Sequence, residues 1–123
     1  YVGCTTICIP ALGELSPVYS RVRSSAPDTA FYFVNLNPTQ QPEWVDPFAR
    51  SFHSGFRGIY ADASQVDRME RDFNLAVSED EAMSHSSNLY LMIRENGSYV
   101  LSRIYTTHPY PQHRILEDIG RLT

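Results

Sequence analysis

Asn88-Leu89-Tyr90-Leu91-Met92-Ile93-Arg94-Glu95-Asn96-Gly97-Ser98-Tyr99-Val100-Leu101-Ser102-Arg103-Ile104-Tyr105 sets two apolar, aromatic-rich runs on either side of an Asn-Gly pair. Tight hairpin turns of type I′ need positive φ at both central residues, which Asn and Gly tolerate, so the stretch predicts an antiparallel hairpin. A last amphipathic helix is expected from about Gln112 to Leu122, with Ile115, Leu116, Ile119 and Leu122 inward.

Upstream of the hairpin the pattern alternates between helix and strand. From Pro10 to about Ser25 the apolar positions Leu12, Leu15, Val18, Tyr19 and Val22 recur at three- and four-residue steps, which predicts a helix bent or broken at Pro17. Ala30 to Leu36 is a nearly continuous run of aromatic and β-branched residues, the pattern of a strand buried on both faces, and it ends in the turn signal Asn37-Pro38. Pro42 to Phe52 is again helical in spacing, interrupted by Pro47, and Gly55 to Tyr60 reads as a short edge strand. Ser64-Gln65-Val66-Asp67 resembles a capping box opening a helix through Met69 and Phe73. The order predicts an α/β fold: a mixed sheet flanked by helices, closed by the hairpin and its helix, within a single domain spanning 1–123. Tyr1 lies only three residues before the first cysteine, so the N-terminal strand of that sheet, with any export or anchor segment, is expected to lie outside this chain.

Cys4 and Cys8 are the only thiols, placed where a strand should pass into the first helix. At i and i+4 on a helix two sulfurs come within reach of one soft metal ion or of each other, and a helix N-terminus favours the thiolate. Spacing alone leaves a copper clamp, a redox couple, a structural disulfide and two small core residues all open. Composition removes other classes of function. All ten cationic residues are arginine, so Schiff-base chemistry and a P-loop lysine are excluded, and a net charge of −4 makes a poor phosphate-backbone binder. No stretch approaches the roughly 18 apolar residues that span a bilayer. The acidic run Glu79-Asp80-Glu81 reads as a solvated loop or as a guide for a cationic partner.

Three stretches together resemble the Sco/SenC family of thioredoxin-fold copper chaperones, which serve assembly of the binuclear copper centre of cytochrome c oxidase. They are Cys4 to Cys8 followed by Ala11-Leu12-Gly13-Glu14-Leu15; Phe33-Val34-Asn35-Leu36-Asn37-Pro38; and His85-Ser86-Ser87-Asn88-Leu89-Tyr90-Leu91. The resemblance implies a thioredoxin-like fold and copper ligation by Cys4, Cys8 and His85. Thiolates select Cu(I), and imidazole suits both oxidation states, so Cu(II) is admitted as well. It also implies a copper-accepting partner such as an oxidase subunit, a copper donor or thiol reductant, and an extracytoplasmic location, in the periplasm or on the outer face of the cytoplasmic membrane.

Three positions depart from the family pattern. The proline that usually follows the second cysteine is displaced to Pro10, and the aspartates of the strand-turn and of the position before the histidine are Asn37 and Ser84. A carboxylate beside an imidazole tunes metal affinity, so affinity or partner choice is expected to differ from typical members. The alternative function is a thiol-disulfide oxidoreductase, with Cys4 attacking and Cys8 resolving. The three-residue spacer and the absence of proline between Pro47 and Pro109, where the fold's redox members carry a cis-proline, favour copper. A peroxidase using Thr5 and Thr6 ranks last. His53, His108 and His113 have no motif and are expected to be exposed or cap-like.

Overall fold

The computed structural model describes residues 1–3, 8–73, 88–107 and 109–122. Its elements are helix α1 (Cys8–Ser25), strand β1 (Tyr32–Asn35), a 3-10 turn (Pro42–Trp44) leading into α2 (Val45–Arg50), β2 (Arg57–Tyr60), α3 (Ala63–Phe73), β3 (Leu89–Glu95), β4 (Ser98–Tyr105) and α4 (Gln112–Leu122). Parallel and antiparallel pairing both occur, as expected of a mixed sheet. Among the described residues they are divided between two ladders: β1 pairs with β2 in parallel, Phe33 opposite Gly58, and β3 pairs with β4 antiparallel, Leu89 opposite Tyr105.

Helices hold the two ladders together from both sides. On one side Leu12, Leu15, Val18 and Val22 of α1 and Ile115 and Ile119 of α4 form the main core, onto which Phe33 of β1 and Leu89 and Leu91 of β3 pack. On the other side Val66 and Met69 of α3 meet Val34 and Leu36, and Phe73 sets its ring edge on Tyr90 of β3 at 4.9 Å. Alternation along β1 explains this double coverage, because successive side chains leave a strand on opposite faces.

The hairpin turn forms as expected, with Asn96 at φ 51° and Gly97 at φ 81°. A bulge between Leu91 and Met92 leaves Ser102 as the extra residue on β4. Several expectations are corrected. Pro17 does not break α1, because buried residues before and after it share one core and that packing outweighs the single lost hydrogen bond. Pro47 is accommodated in the first turn of α2, where an amide hydrogen would have no intrahelical acceptor. Tyr32 is exposed, so β1 is not covered on both faces along its whole length. The capping box of α3 lies two residues earlier than read: Asp62 Oδ1 accepts from Gln65 N at 2.9 Å, and Gln65 Oε1 accepts from Asp62 N at 2.9 Å. The Gln65 amide first, and then the Ser64 hydroxyl, hold the Asp62 carboxyl below its usual range. Leu122 is exposed, and Asp118 takes the inward position on α4.

Candidate functional site

Cys8 is the first residue of α1, in a turn that carries no acidic side chain. Cys8 is buried, and its Sγ lies 3.2 Å from the amino-terminal nitrogen of Tyr1. A helix N-terminus favours negative charge on sulfur, the form that binds soft metals. The segment bearing Tyr1 is held in turn by Gln40: Val2 N donates to Gln40 Oε1 at 3.0 Å, and Gln40 Nε2 donates to Val2 O at 2.9 Å. Cys4 falls in residues 4–7 and His85 in residues 74–87, both outside the described residues, as do Ser84, the acidic run 79–81 and His108. Among the described residues no three His, Cys, Asp or Glu side chains converge.

The Leu89–Tyr105 end of the hairpin packs on the core that α1 shares with α4. Leu89 opens β3, packs into the core that holds Ala11 and Leu12, and pairs with Tyr105. Just beyond Tyr105, the Tyr110 amide donates to Glu14 Oε2 at 2.9 Å and Gln112 Nε2 donates to Glu14 O at 3.0 Å. Glu14 is six residues along α1 from Cys8, about 9 Å at the helical rise. His85 precedes Leu89 by four residues, a reach of roughly 13 to 14 Å when extended.

The other described histidines sit elsewhere. His53 lies against Tyr19 and Phe56, with ring centroids 4.5 and 5.5 Å away, and its Nε2 is 3.0 Å from Ser20 Oγ. Gly55 N donates to His53 Nδ1 at 3.0 Å, so the proton of the neutral ring belongs on Nε2 and His53 has no free nitrogen with which to activate Ser20. Tyr19 and Ser20 are eleven and twelve residues from Cys8, at least about 16 Å along α1, so His53 serves packing. His113 is exposed and pairs with Glu117 one turn later on α4, at 2.9 Å.

Asn37, which stands where the family pattern has aspartate, does a local job. Its Oδ1 accepts from Thr39 N at 3.2 Å and Thr39 Oγ1 at 2.6 Å, closing the turn after β1. A groove of about 290 Å³ between α3 and the β1–β2 ladder, lined by Val34, Ile59, Arg68 and Met69, is separate from Cys8. It opens on the α3 side of β1, whereas Cys8 lies at the start of the helix on the other side. Sequence reading missed Gln40, because its partner Val2 is 38 residues away and a carboxamide carries no motif of its own.

Helices on both sides of parallel and antiparallel ladders, with a thiol at the start of the first helix, define a thioredoxin-like α/β protein. The SCO1/SenC family model matches residues 1–123, and the chain belongs to that family. Two solved structures share the fold. A SCO1/SenC family lipoprotein from Bacillus anthracis superposes with a TM-score of 0.79 at 20% identity, over 99% of this chain and 76% of that one. The apo Sco1 protein from Thermus thermophilus gives 0.64 at 17% identity, over 100% and 75%. No curated protein matches the chain.

Proposed function

We propose that this protein is a copper metallochaperone: Cys4, Cys8 and His85 hold one Cu(I) ion as cargo and release it by ligand exchange to the thiols of an acceptor such as an oxidase subunit. Family membership supports a general role in copper handling on a thioredoxin-like scaffold. The observation that carries the finer reading is Cys8, a buried residue that opens α1, where a helix N-terminus favours the thiolate. Two thiolates and one imidazole are a donor set suited to Cu(I). Three ligands leave a position through which an incoming thiolate attacks, so transfer needs no change in oxidation state. His85 is separate in sequence from the cysteines, so one ligand can leave while two remain.

The family match over 1–123 supports reading the chain as one functional unit. An extracytoplasmic site of action is supported by the Bacillus anthracis relative being a lipoprotein. A second reading, reduction of an acceptor disulfide with Cys4 attacking and Cys8 resolving, is favoured by the same placement of Cys8, since burial suits a resolving thiol. An anaerobic titration with Cu(I) against a chromophoric competitor tests the copper reading. One ion per chain is expected, with strong weakening in Cys8→Ser and His85→Ala. Unchanged affinity in His85→Ala would remove histidine from the site.

A further inference from the structure

We propose that the outer edge of β4 is a self-pairing surface: two copies of this chain join β4 to β4 antiparallel about a two-fold axis at Val100, extending the hairpin into a four-stranded sheet. The inference is independent of the copper reading.

β2 and β4 end their ladders differently. On β2 the Gly58 amide donates to Asp46 Oδ1 at 2.9 Å, and the backbone of α2 lies so close that it leaves no room for a Cβ at Gly58. That edge is closed by a helix and a carboxylate. β4 has no such cover: among the described residues its one neighbour in a sheet is β3, and six of its eight residues are exposed. Of the eight large apolar side chains exposed among the described residues, four are on this strand: Tyr99 at 67%, Val100 at 43%, Leu101 at 40% and Ile104 at 49%. An apolar edge without lysine or proline is a template for another strand.

Backbone alternation fixes which groups are offered. Glu95 and Ser98 close the two-residue turn, and pairs along the ladder then alternate between those that exchange backbone bonds and those that do not. Val100 therefore turns its backbone groups to Ile93, while the N–H and C=O of Tyr99 and Leu101 point outward. The bulge at Ser102 ends this regular edge. A two-fold axis at Val100 sets Tyr99 of each copy opposite Leu101 of the other, each such pair exchanging two hydrogen bonds.

The same register suits the side chains. On one face Met92 and Leu101 of one copy run on into Tyr99 of the other. On the opposite face Ile93 and Val100 meet the same two residues across the axis, an unbroken aliphatic row. Charge does not oppose the pairing. β4 has no carboxylate and a single cation, Arg103, which lies beyond the bulge with its guanidinium donating to the Ser102 carbonyl at 2.9 Å. Arg94 stands beside Tyr99, so the two Arg94 side chains fall at opposite ends of the sheet. A charged partner would find nothing to answer it between Ser98 and Leu101, whereas a second copy answers each apolar side chain with another. The contact is small by the standard of permanent dimers, so monomer and dimer should exchange with concentration.

Sedimentation velocity on the full chain, from micromolar to millimolar concentration, should show a reversible monomer–dimer equilibrium. Leu101→Pro removes an outward N–H from each copy without touching a bond to β3, and should weaken the dimer at least about tenfold. Val100→Glu sets two carboxylates against each other at the axis and should weaken it by a similar factor. Because Val100 is exposed, this variant decides the matter even if Leu101→Pro disturbs the hairpin. In a Cys4→Ser, Cys8→Ser background, Val100→Cys should give a disulfide-linked dimer under mild oxidation, since facing Cα atoms of that pair type lie about 4.5 Å apart. Ile104→Cys, exposed but beyond the bulge, should not. A chain that stays monomeric throughout, leaving the edge to some other protein, would overturn the proposal. So would a dimer indifferent to Val100→Glu, or equal crosslinking through positions 100 and 104.

Discussion

Replacing Tyr105 by Phe removes one oxygen and tests how the hairpin is fastened to α4. Tyr105 OH donates to Asp118 Oδ2 at 2.5 Å, and both residues are buried, 6% and 9% exposed. Phe fills the same space, so no cavity forms. What is lost is a hydrogen bond to a carboxylate in a place where water cannot fully replace it, at a cost of about 2 kcal/mol. At about 2.1 cal/mol/K per residue, 123 residues give an unfolding entropy of about 0.26 kcal/mol/K, so the midpoint should fall by about 8 °C.

Urea unfolding followed by circular dichroism measures the free energy directly. Adding Asp118→Leu to Tyr105→Phe removes the stranded carboxylate, so the double variant should recover about 1 kcal/mol relative to the single one. The pair also has an alkaline signature. Burial first, and the bond to Asp118 second, raise the Tyr105 pKa far above its ordinary value. The folded protein therefore keeps a proton that the unfolded chain releases near pH 10, so this contribution is complete below about pH 10 and declines above it. Tyr105→Phe should flatten that decline. A Tyr105→Phe variant within about 0.5 kcal/mol of the parent, or a double variant equal to the sum of the singles, would refute the assignment.

Further outcomes are expected. A Cβ at Gly58 would lie 2.3 Å from the Val45 carbonyl oxygen, so Gly58→Ala must push α2 off β2 and should lower stability by about 2 kcal/mol or more in the same urea experiment. It should also release the Asp46 carboxyl, which Gly58 N–H and then Arg50 hold below its usual range, so the Asp46 pKa measured by NMR should rise. His53→Ala should cost stability through its lost aromatic contacts while leaving Cu(I) affinity within about twofold of the parent, because Tyr19 and Ser20 hold that ring at least about 16 Å along α1 from Cys8. Insulin reduction by the copper-free protein should be slow; rapid turnover would move thiol-disulfide exchange ahead of copper delivery.

Periodicity made most of the architecture legible. The hairpin, α1 and α4 were readable because their apolar spacing and the Asn96-Gly97 turn all point to one conformation. Misreadings arose where local chemistry competed with packing. Pro17 suggested a break that the shared core of Leu12, Leu15, Val18 and Val22 overrides, and Ser64 suggested a cap that Asp62 provides. Leu122 fits the apolar stripe, yet it is the last residue of α4 and lies exposed, beyond the end of the buried stripe. Of the candidate site, the placement of Cys8 at the start of α1 was legible from the helical spacing that follows it. The pairing of Gln40 with Val2 was not, since nothing near Gln40 in the sequence signals it.

Copper K-edge X-ray absorption on the Cu(I)-loaded protein, compared with His85→Ala, tests the central claim most directly. Two sulfur scatterers and one nitrogen are predicted for the parent, and two sulfurs without that nitrogen for the variant. An identical set of scatterers in both, or a parent site lacking the second sulfur, would contradict the three-ligand copper site.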